Sequence, residues 1–230
     1  MTIHAPWTRL AALGTILRNP ALAVFVVALV AALGGCTSSL LPKPAEQPAL
    51  YALNDAAPGT PAAPGAAAPR DAASSKPTLL VNPPRAAAGF DTRHIVYLRE
   101  PHRIEYFAFS QWVDTPAQML APLIARAIER TSAFDAVLQA PTAAAGQLRL
   151  DTEVIRLQQD FATTPSEVRF TLRAVLLDSR TRRVIAVREF DARVPAPSDD
   201  AAGGVAAANV AVQRVLAELA AFAAKAATAP

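Results

Sequence analysis

The chain has 230 residues, of which 52% are hydrophobic, with 20 prolines, 9 glycines and a single cysteine. This length is typical of one domain with additional segments, and one cysteine excludes an intramolecular disulfide framework and any multi-cysteine metal site. Removing Arg9 and Arg18, which precede the cysteine, leaves 20 basic against 19 acidic residues, and this balance excludes the basic stripe of a nucleic-acid-binding protein.

Residues 1–35 are predicted to be a signal peptide. Two arginines give a positive N-terminal region, and an uncharged apolar run extends from Pro20 to Leu33. A membrane-spanning helix needs about 20 apolar residues, whereas this run has 14. We therefore expect a cleaved secretory signal rather than a permanent span.

The tetrapeptide Leu33-Gly34-Gly35-Cys36 resembles the bacterial lipobox. In that motif a lipid is attached to the cysteine sulfur, the chain is cleaved before the cysteine, and the new amino group is acylated. We therefore expect cleavage between Gly35 and Cys36 and a stable anchor of two or three acyl chains on Cys36. The alternative is a short anchor helix with an incidental cysteine. By the sorting rule of such lipoproteins, Thr37 implies the outer membrane, with the mature protein on its periplasmic face.

The composition changes sharply after the cysteine. Eight prolines fall among alanine, glycine and serine residues in 37–77. Such a stretch buries too little apolar surface to offset the entropy lost on ordering. Residues 36–76 are therefore predicted to be a Pro/Ala-rich tether. Tyr51 and Leu53 are bulky residues two apart, and they predict one short strand near 51–53 that docks on the domain.

The folded domain is predicted over residues 77–228. Alternation and turn residues predict three strands in its first part, at 78–81, 94–99 and 103–109. A helix is predicted to begin at Thr115, because threonine is a good N-cap, Pro116 suits the first helical position and Gln118 completes a capping box. Pro122 is expected to kink this helix or delay its start.

Three further strands and a second helix follow. The strands are predicted at 148–154, 168–174 and 184–194, where apolar residues alternate with charged ones. Acidic residues on one strand are expected to face arginines on the next. Gly204 to Lys225 is an Ala-rich amphipathic segment that predicts a core-covering helix. The expected fold class is α/β, with a small mixed or antiparallel sheet packed by two main helices.

No motif of nucleotide or nucleophilic chemistry occurs in the sequence, and a lipidated Cys36 is not a free thiol. His94 and His102 are eight residues apart without a metal-binding pattern. Asp151 and Glu153 share a strand face, but their arginine neighbours favour a solvated charged face over a glycosidase pair. We therefore predict that the protein is not an enzyme, with no catalytic residue, no metal and no cofactor besides the covalent lipid.

Two other groups of residues could form contacts. Arg180, Arg182 and Arg183 cluster at a predicted turn, which favours a solvated hairpin tip, with contact to anionic lipid headgroups as the alternative. Aromatic residues concentrate between residues 90 and 112. Alternation on the strand 103–109 leaves both of its faces bulky, so we expect one face in the core and consider the other as an interface with another subunit.

These residues resemble the ABC-type transport auxiliary lipoprotein family, which includes the lipoprotein of the paraquat-inducible operon. The resemblance covers nearly all of the mature chain and ends in the Ala-rich helix. Its motif is loose and consists of Cys36, Tyr51-Ala-Leu53, Phe90-Asp-Thr-Arg-His-Ile-Val-Tyr97, Arg103-Ile-Glu-Tyr106 and Trp112.

The resemblance implies a periplasmic accessory subunit of a mammalian-cell-entry (MCE) type ABC transporter, which moves phospholipids or other hydrophobic molecules across the envelope. The implied partners are an MCE-domain subunit, a permease and an ATPase, together with outer-membrane lipid and further copies of the chain in a ring-like homo-oligomer. The implied fold is similar to the N-terminal domain of TolB-type proteins. The family-like surface or core is marked by Tyr51, Leu53, Arg103, Tyr106 and Trp112.

The alternative is a structural lipoprotein that scaffolds another envelope complex, such as secretion or peptidoglycan machinery. A periplasmic hydrolase is a more distant reading, because it needs a reactive nucleophile that the sequence does not offer.

Overall fold

A computed structural model describes residues 47–54 and 76–227, together with Val24. The predicted signal peptide, its cleavage site at Gly35 and Cys36, the lipid attachment and most of the predicted tether lie outside the described residues.

Within the described residues the chain forms nine strands and two helices. In chain order they are β1 (Ala49–Tyr51), β2 (Thr78–Val81), β3 (Arg85–Ala86), β4 (His94–Leu98), β5 (Ile104–Trp112), α1 (Pro116–Glu129), β6 (Ala136–Gln139), β7 (Leu148–Asp160), β8 (Glu167–Asp178), β9 (Val184–Pro195) and α2 (Ala201–Ala227). All nine strands belong to one sheet with parallel and antiparallel pairs. The predicted α/β class, a mixed sheet with two main helices, is confirmed.

The 13-residue strand β7 organises the sheet. Along one edge it pairs in parallel with β2, then β3, then β4, each over two or three residues. Its other edge pairs antiparallel with β8 over nearly its whole length, and β8 pairs antiparallel with β9. Strand β6 extends the sheet beyond β2, while β5 and then β1 extend it beyond β4. This order makes β5 and β1 the outer strands on that side.

The hydrophobic core lies between the sheet and the two helices, which also contact each other. Phe170 and Leu172 of β8 are fully buried there, as the predicted alternation requires. Helix α2 lies over β8 and β9, and its inward face is rich in alanine, which lets the helix approach the sheet closely. Among the described residues, α2 is also the one helix long and apolar enough to cross a membrane by length and composition. Its buried face accounts for that composition in a core helix.

Helix α1 begins where the sequence predicts. The Thr115 hydroxyl accepts a hydrogen bond from the Gln118 amide at 3.4 Å, and Pro116 lies at the first helical position. The prediction that Pro122 delays the start is wrong, because the helix runs through it to Glu129. Burial of the apolar face of α1 outweighs the one backbone hydrogen bond that proline removes.

Two short strands, β3 and β6, are not predicted from the sequence. The pair Arg85–Ala86 carries no strand pattern and becomes β3 because it lies beside Glu153 and Val154 of β7. Strand β6 likewise depends on its parallel pairing with β2. Both are set by long-range partners rather than by local propensity.

Several element boundaries also differ from the sequence analysis. Strands β5, β7 and β8 run on to Trp112, Asp160 and Asp178, beyond the predicted ends at 109, 154 and 174. The short first strand is Ala49–Tyr51, so Leu53 follows it and is buried in the core. Helix α2 begins three residues before Gly204, because Asp200 caps it: the Gly203 amide donates to Asp200 Oδ1 at 2.7 Å. This hydrogen bond holds the pKa of Asp200 below its ordinary value.

Charge pairs link β8 and β9 as predicted from the alternating residues. Arg169 Nε lies 2.9 Å from Asp191 Oδ1, and Arg193 Nη1 lies 2.8 Å from Glu167 Oε1. Asp151 instead pairs with Arg149 of its own strand at 3.1 Å. These pairs agree with a solvated charged face.

Asp191 is expected to make folding stability depend on pH. Partial burial raises the pKa of its carboxyl, but hydrogen bonds from Arg169 and Thr171 outweigh this effect and hold the pKa below its ordinary value. Because the folded-state pKa is depressed, the contribution is present above the unfolded value of about 4 and is lost as the pH falls through the folded value.

Urea unfolding of the wild-type protein and Asp191→Asn from neutral to acidic pH measures this contribution. We expect the wild type to be the more stable at neutral pH and the difference to shrink below about pH 4. Asp91→Asn, on an exposed turn, is the control for removing one negative charge. A difference that persists unchanged in acid would contradict the role of the ionised carboxylate.

Candidate docking surface on strand β5

The described residues offer little for catalysis or metal binding. No group of three or more histidine, cysteine, aspartate or glutamate side chains in this part of the chain is placed to hold a metal ion. A cavity between β4, β7 and α2, lined by Ile95, Trp112 and Leu157, has room for about one water molecule. His94 stacks on Tyr106, with ring centroids 5.0 Å apart. The candidate functional region is therefore on the surface of the domain.

An exposed apolar surface surrounds the outer edge of β5. We call it the β5 surface, and its members are Leu50, Ile104, Tyr106, Phe109 and Val113, each with between 41% and 60% of its area exposed. Strand β1 pairs only with Ser110–Trp112. The preceding residues of β5 have no outer strand partner among the described residues. Such an edge, with free backbone groups and apolar side chains, is a template for pairing with another chain.

The pairing of β5 with β4 determines which way its side chains point. Glu105 lies opposite Tyr97, and Tyr106 lies opposite Val96. Successive residues of a strand point to opposite faces, so Glu105 shares one face with Tyr97, and Tyr106 lies on the other. The register is irregular between His94 and Val96. This irregularity separates the exposed half of β5 from the half that ends in the core.

An aromatic cluster supports the other face of β5. The Tyr97 and Phe107 ring centroids lie 4.6 Å apart, and the Tyr97 and Phe161 centroids lie 5.6 Å apart. The Arg99 guanidinium lies 5.4 Å from the Tyr97 ring centroid, in cation–π range. A hydrogen bond with Glu105, and then burial, raises the pKa of the Tyr97 hydroxyl. These ring contacts pack the face of β5 that lies opposite Tyr106.

The structure divides the five family-motif residues between core and surface. Trp112 is 2% exposed and Leu53 is buried, while Tyr51 packs partly buried against the core. Tyr106 is 44% exposed. Arg103 is exposed and forms ion pairs with Glu100 at 3.4 Å and Glu105 at 3.3 Å.

Thus Tyr106 on β5 and Arg103, which precedes β5 and pairs with Glu105 on the opposite face, are exposed candidates for partner contact. Trp112 and Leu53 have structural roles. Sequence analysis missed Leu50 and Val113 as surface residues. Their position beside the paired ends of β1 and β5 becomes visible only once those strands are paired.

The sequence analysis expects one face of the strand 103–109 to lie in the core and considers the other as an interface, and the side chains of β5 test this. Phe107 packs against the core, in agreement with that expectation. Ile104 and Tyr106, on the opposite face, are exposed. Phe109 is 60% exposed as well, although simple alternation places it with Phe107.

Comparison with solved structures supports the fold. Protein XCC0632 from Xanthomonas campestris, described as a DUF330 protein, is 26% identical over 77% of this chain and 95% of its own, with a TM-score of 0.64. An uncharacterized protein is 12% identical over 78% of this chain and 98% of its own, with a TM-score of 0.54.

Comparison of the sequence identifies the family. No curated protein matches the chain. The model of the ABC-type transport auxiliary lipoprotein component matches residues 51–220, from the end of β1 into the last third of α2. That description is of a lipid-anchored auxiliary component rather than of a catalytic subunit. Because the match spans well over half of the chain, the protein belongs to the ABC-type transport auxiliary lipoprotein family.

Proposed function

We propose that this protein is the accessory subunit of an MCE-type ABC transporter that moves phospholipids or other hydrophobic molecules across the envelope. A covalent lipid on Cys36 anchors it to the periplasmic face of the outer membrane. The family membership supports an auxiliary role in ABC transport, and the lipobox-like Leu33-Gly34-Gly35-Cys36 supports the anchor.

The β5 surface carries this proposal. An accessory subunit without catalytic machinery acts through contacts, and the β5 surface combines an open strand edge with exposed apolar side chains. An apolar patch rimmed by charged residues is typical of a protein-binding site. Arg103 and Glu105, the chain neighbours of Ile104, supply charge at one end of this surface. The occupant that we propose is the MCE-domain subunit.

The position of β1 limits how far the domain can lie from its anchor. Strand β1 pairs with β5, and β2 belongs to the same sheet. Residues 55–75 therefore connect two strands of one sheet and add nothing to the reach. Only residues 37–48 separate Cys36 from β1, and twelve extended residues span at most about 40 Å. The anchored domain thus works close to the membrane.

Co-purification tests the proposed function. A C-terminally tagged chain is extracted from membranes in mild detergent, and the associated proteins are identified by mass spectrometry. We expect an MCE-domain protein with its permease and ATPase, and we expect their recovery to fall when Cys36→Ala removes the anchor. Recovery of secretion or cell-wall components alone would favour the scaffold alternative and overturn the transport proposal.

A second pair of variants tests the β5 surface itself. Tyr106→Ser with Phe109→Ser is expected to stay membrane-anchored and folded but to lose the MCE-domain protein. Val210→Ser is the control for losing an exposed apolar side chain that is not part of the β5 surface, because Val210 lies on α2. Equal recovery with both variants would show that the partner binds elsewhere.

A further inference from the structure

The tip of the β8–β9 hairpin is a second exposed surface, distinct from the β5 surface. We call residues 179–187 the basic tip. It contains three exposed arginines, Arg180, Arg182 and Arg183, and no acidic residue. Three apolar side chains follow in the same tip, and they are between 42% and 50% exposed: Val184, Ile185 and Val187.

The tip is held in a defined shape by the residue that precedes it. Asp178 Oδ1 accepts hydrogen bonds from the Thr181 amide at 2.6 Å and the Thr181 hydroxyl at 2.7 Å. The Asp178 amide donates to the Arg183 carbonyl at 2.9 Å, which closes the turn. The carboxylate nearest the arginines is therefore occupied by the turn itself. The guanidinium groups are thus presented on an ordered loop.

The turn also has an arginine, Arg182, at a position whose backbone conformation favours glycine. Arg182 has a φ of +59°, in the left-handed region that L-residues rarely adopt. Glycine or asparagine at this position would stabilise the turn. The tip therefore places a positive charge at a position where local stability alone would favour another residue.

We propose that the basic tip binds the surface of an anionic membrane. Arginines there meet lipid phosphates, while Val184, Ile185 and Val187 enter the boundary between headgroups and acyl chains. Neighbouring basic and apolar side chains are the combination that binds such interfaces. The nine residues of the tip are far fewer than the roughly 20–30 that each partner contributes to a standard protein interface, which favours a membrane over a protein.

This inference does not depend on the transporter proposal. A lipid chain and a basic patch act together as two membrane signals. Residues 37–48 keep the domain within about 40 Å of its anchor, so the tip can reach the anchoring membrane. In the opposite orientation of the domain, the tip would face a second membrane. Binding at the tip would then set the orientation of the domain.

Vesicle flotation of residues 37–230 tests the proposal without the lipid anchor. This segment contains all of the described core and the compact unit that begins at Gln47, so we expect it to fold alone, and circular dichroism verifies this. We expect it to float with vesicles of phosphatidylcholine and phosphatidylglycerol but not with phosphatidylcholine alone. High salt is expected to weaken the binding, because it screens exposed charges.

Two triple variants separate the tip from net charge. Each arginine near an anionic surface is expected to strengthen binding about fivefold, so replacing Arg180, Arg182 and Arg183 by glutamine is expected to weaken it about a hundredfold. The control replaces three exposed arginines away from the tip by glutamine and removes the same charge: Arg85, Arg173 and Arg214. Equal losses in the two variants would overturn the proposal.

Two smaller variants separate membrane binding from folding. Arg182→Gly relieves the left-handed backbone, so its Tm is expected to stay equal or rise while vesicle binding falls about fivefold. Ile185→Ser with Val187→Ser is expected to weaken flotation while leaving the charge unchanged. Full vesicle binding by the arginine variant, together with loss of a co-purified protein, would identify the tip as a protein contact and overturn the membrane proposal.

Discussion

Trp112→Ala is expected to lower the free energy of unfolding by about 3–5 kcal/mol, because it removes a large side chain from the core. Trp112 is 2% exposed. Its amide donates to the Arg93 carbonyl at 2.8 Å, and it lies opposite Tyr51 of β1. The Trp112 side chain belongs to the core and lines the small cavity with Ile95 of β4 and Ala208 of α2. Urea unfolding of the two proteins measures the loss.

Tyr106→Ser is the matched comparison on the same strand. Tyr106 is 44% exposed, so its replacement is expected to change the free energy of unfolding by less than about 1 kcal/mol. Because Tyr106 belongs to the β5 surface, the same change is nevertheless expected to abolish co-purification of the proposed MCE-domain partner. A destabilisation as large as that of Trp112→Ala would mean that Tyr106 supports the fold rather than a docking site.

Gly203→Ala is expected to destabilise the protein by about 1–3 kcal/mol, the range for forcing additional atoms into a packed site. A Cβ at this position would lie 2.1 Å from the Ser198 carbonyl oxygen and 2.7 Å from its amide nitrogen. Backbone atoms cannot move aside as a flexible side chain can. Helix propensity alone predicts the opposite sign, a gain of about 1 kcal/mol.

Ala202→Gly is the control for helix propensity. Ala202 is exposed in the same turn of α2, so this change is expected to cost about 1 kcal/mol. Thermal and urea unfolding of both variants give the comparison. If Gly203→Ala were stabilising, the close approach of α2 to the loop at Ser198 would be wrong.

Much of the fold could be predicted because its signals are local. The alternation along β7 and β8 marks one buried and one solvated face, and the structure buries Leu150, Phe170 and Leu172 accordingly. Thr115, Pro116 and Gln118 mark the start of α1 through hydrogen bonds within one turn. Such patterns depend on neighbours only a few residues away.

Strands β3 and β6 could not be predicted, because they depend on distant partners. Arg85 and Ala86 are extended only because β7 lies beside them, between β2 and β4. The exposure of the candidate site residues could not be predicted for the same reason. Tyr106 and Trp112 are six residues apart, so regular alternation puts them on one face. The register irregularity opposite His94 and Val96 separates them into surface and core.

The sequence by itself determined the fold class, the type and order of the long elements, the even charge balance and the prediction of a lipid anchor on Cys36, because each rests on composition or on short spacings. Only the tertiary structure decided which aromatic residues are exposed, that β1 pairs with the end of β5, and that Arg182 adopts a left-handed backbone at the hairpin tip. These features arise from pairing between segments far apart in the chain, and no local pattern encodes that pairing.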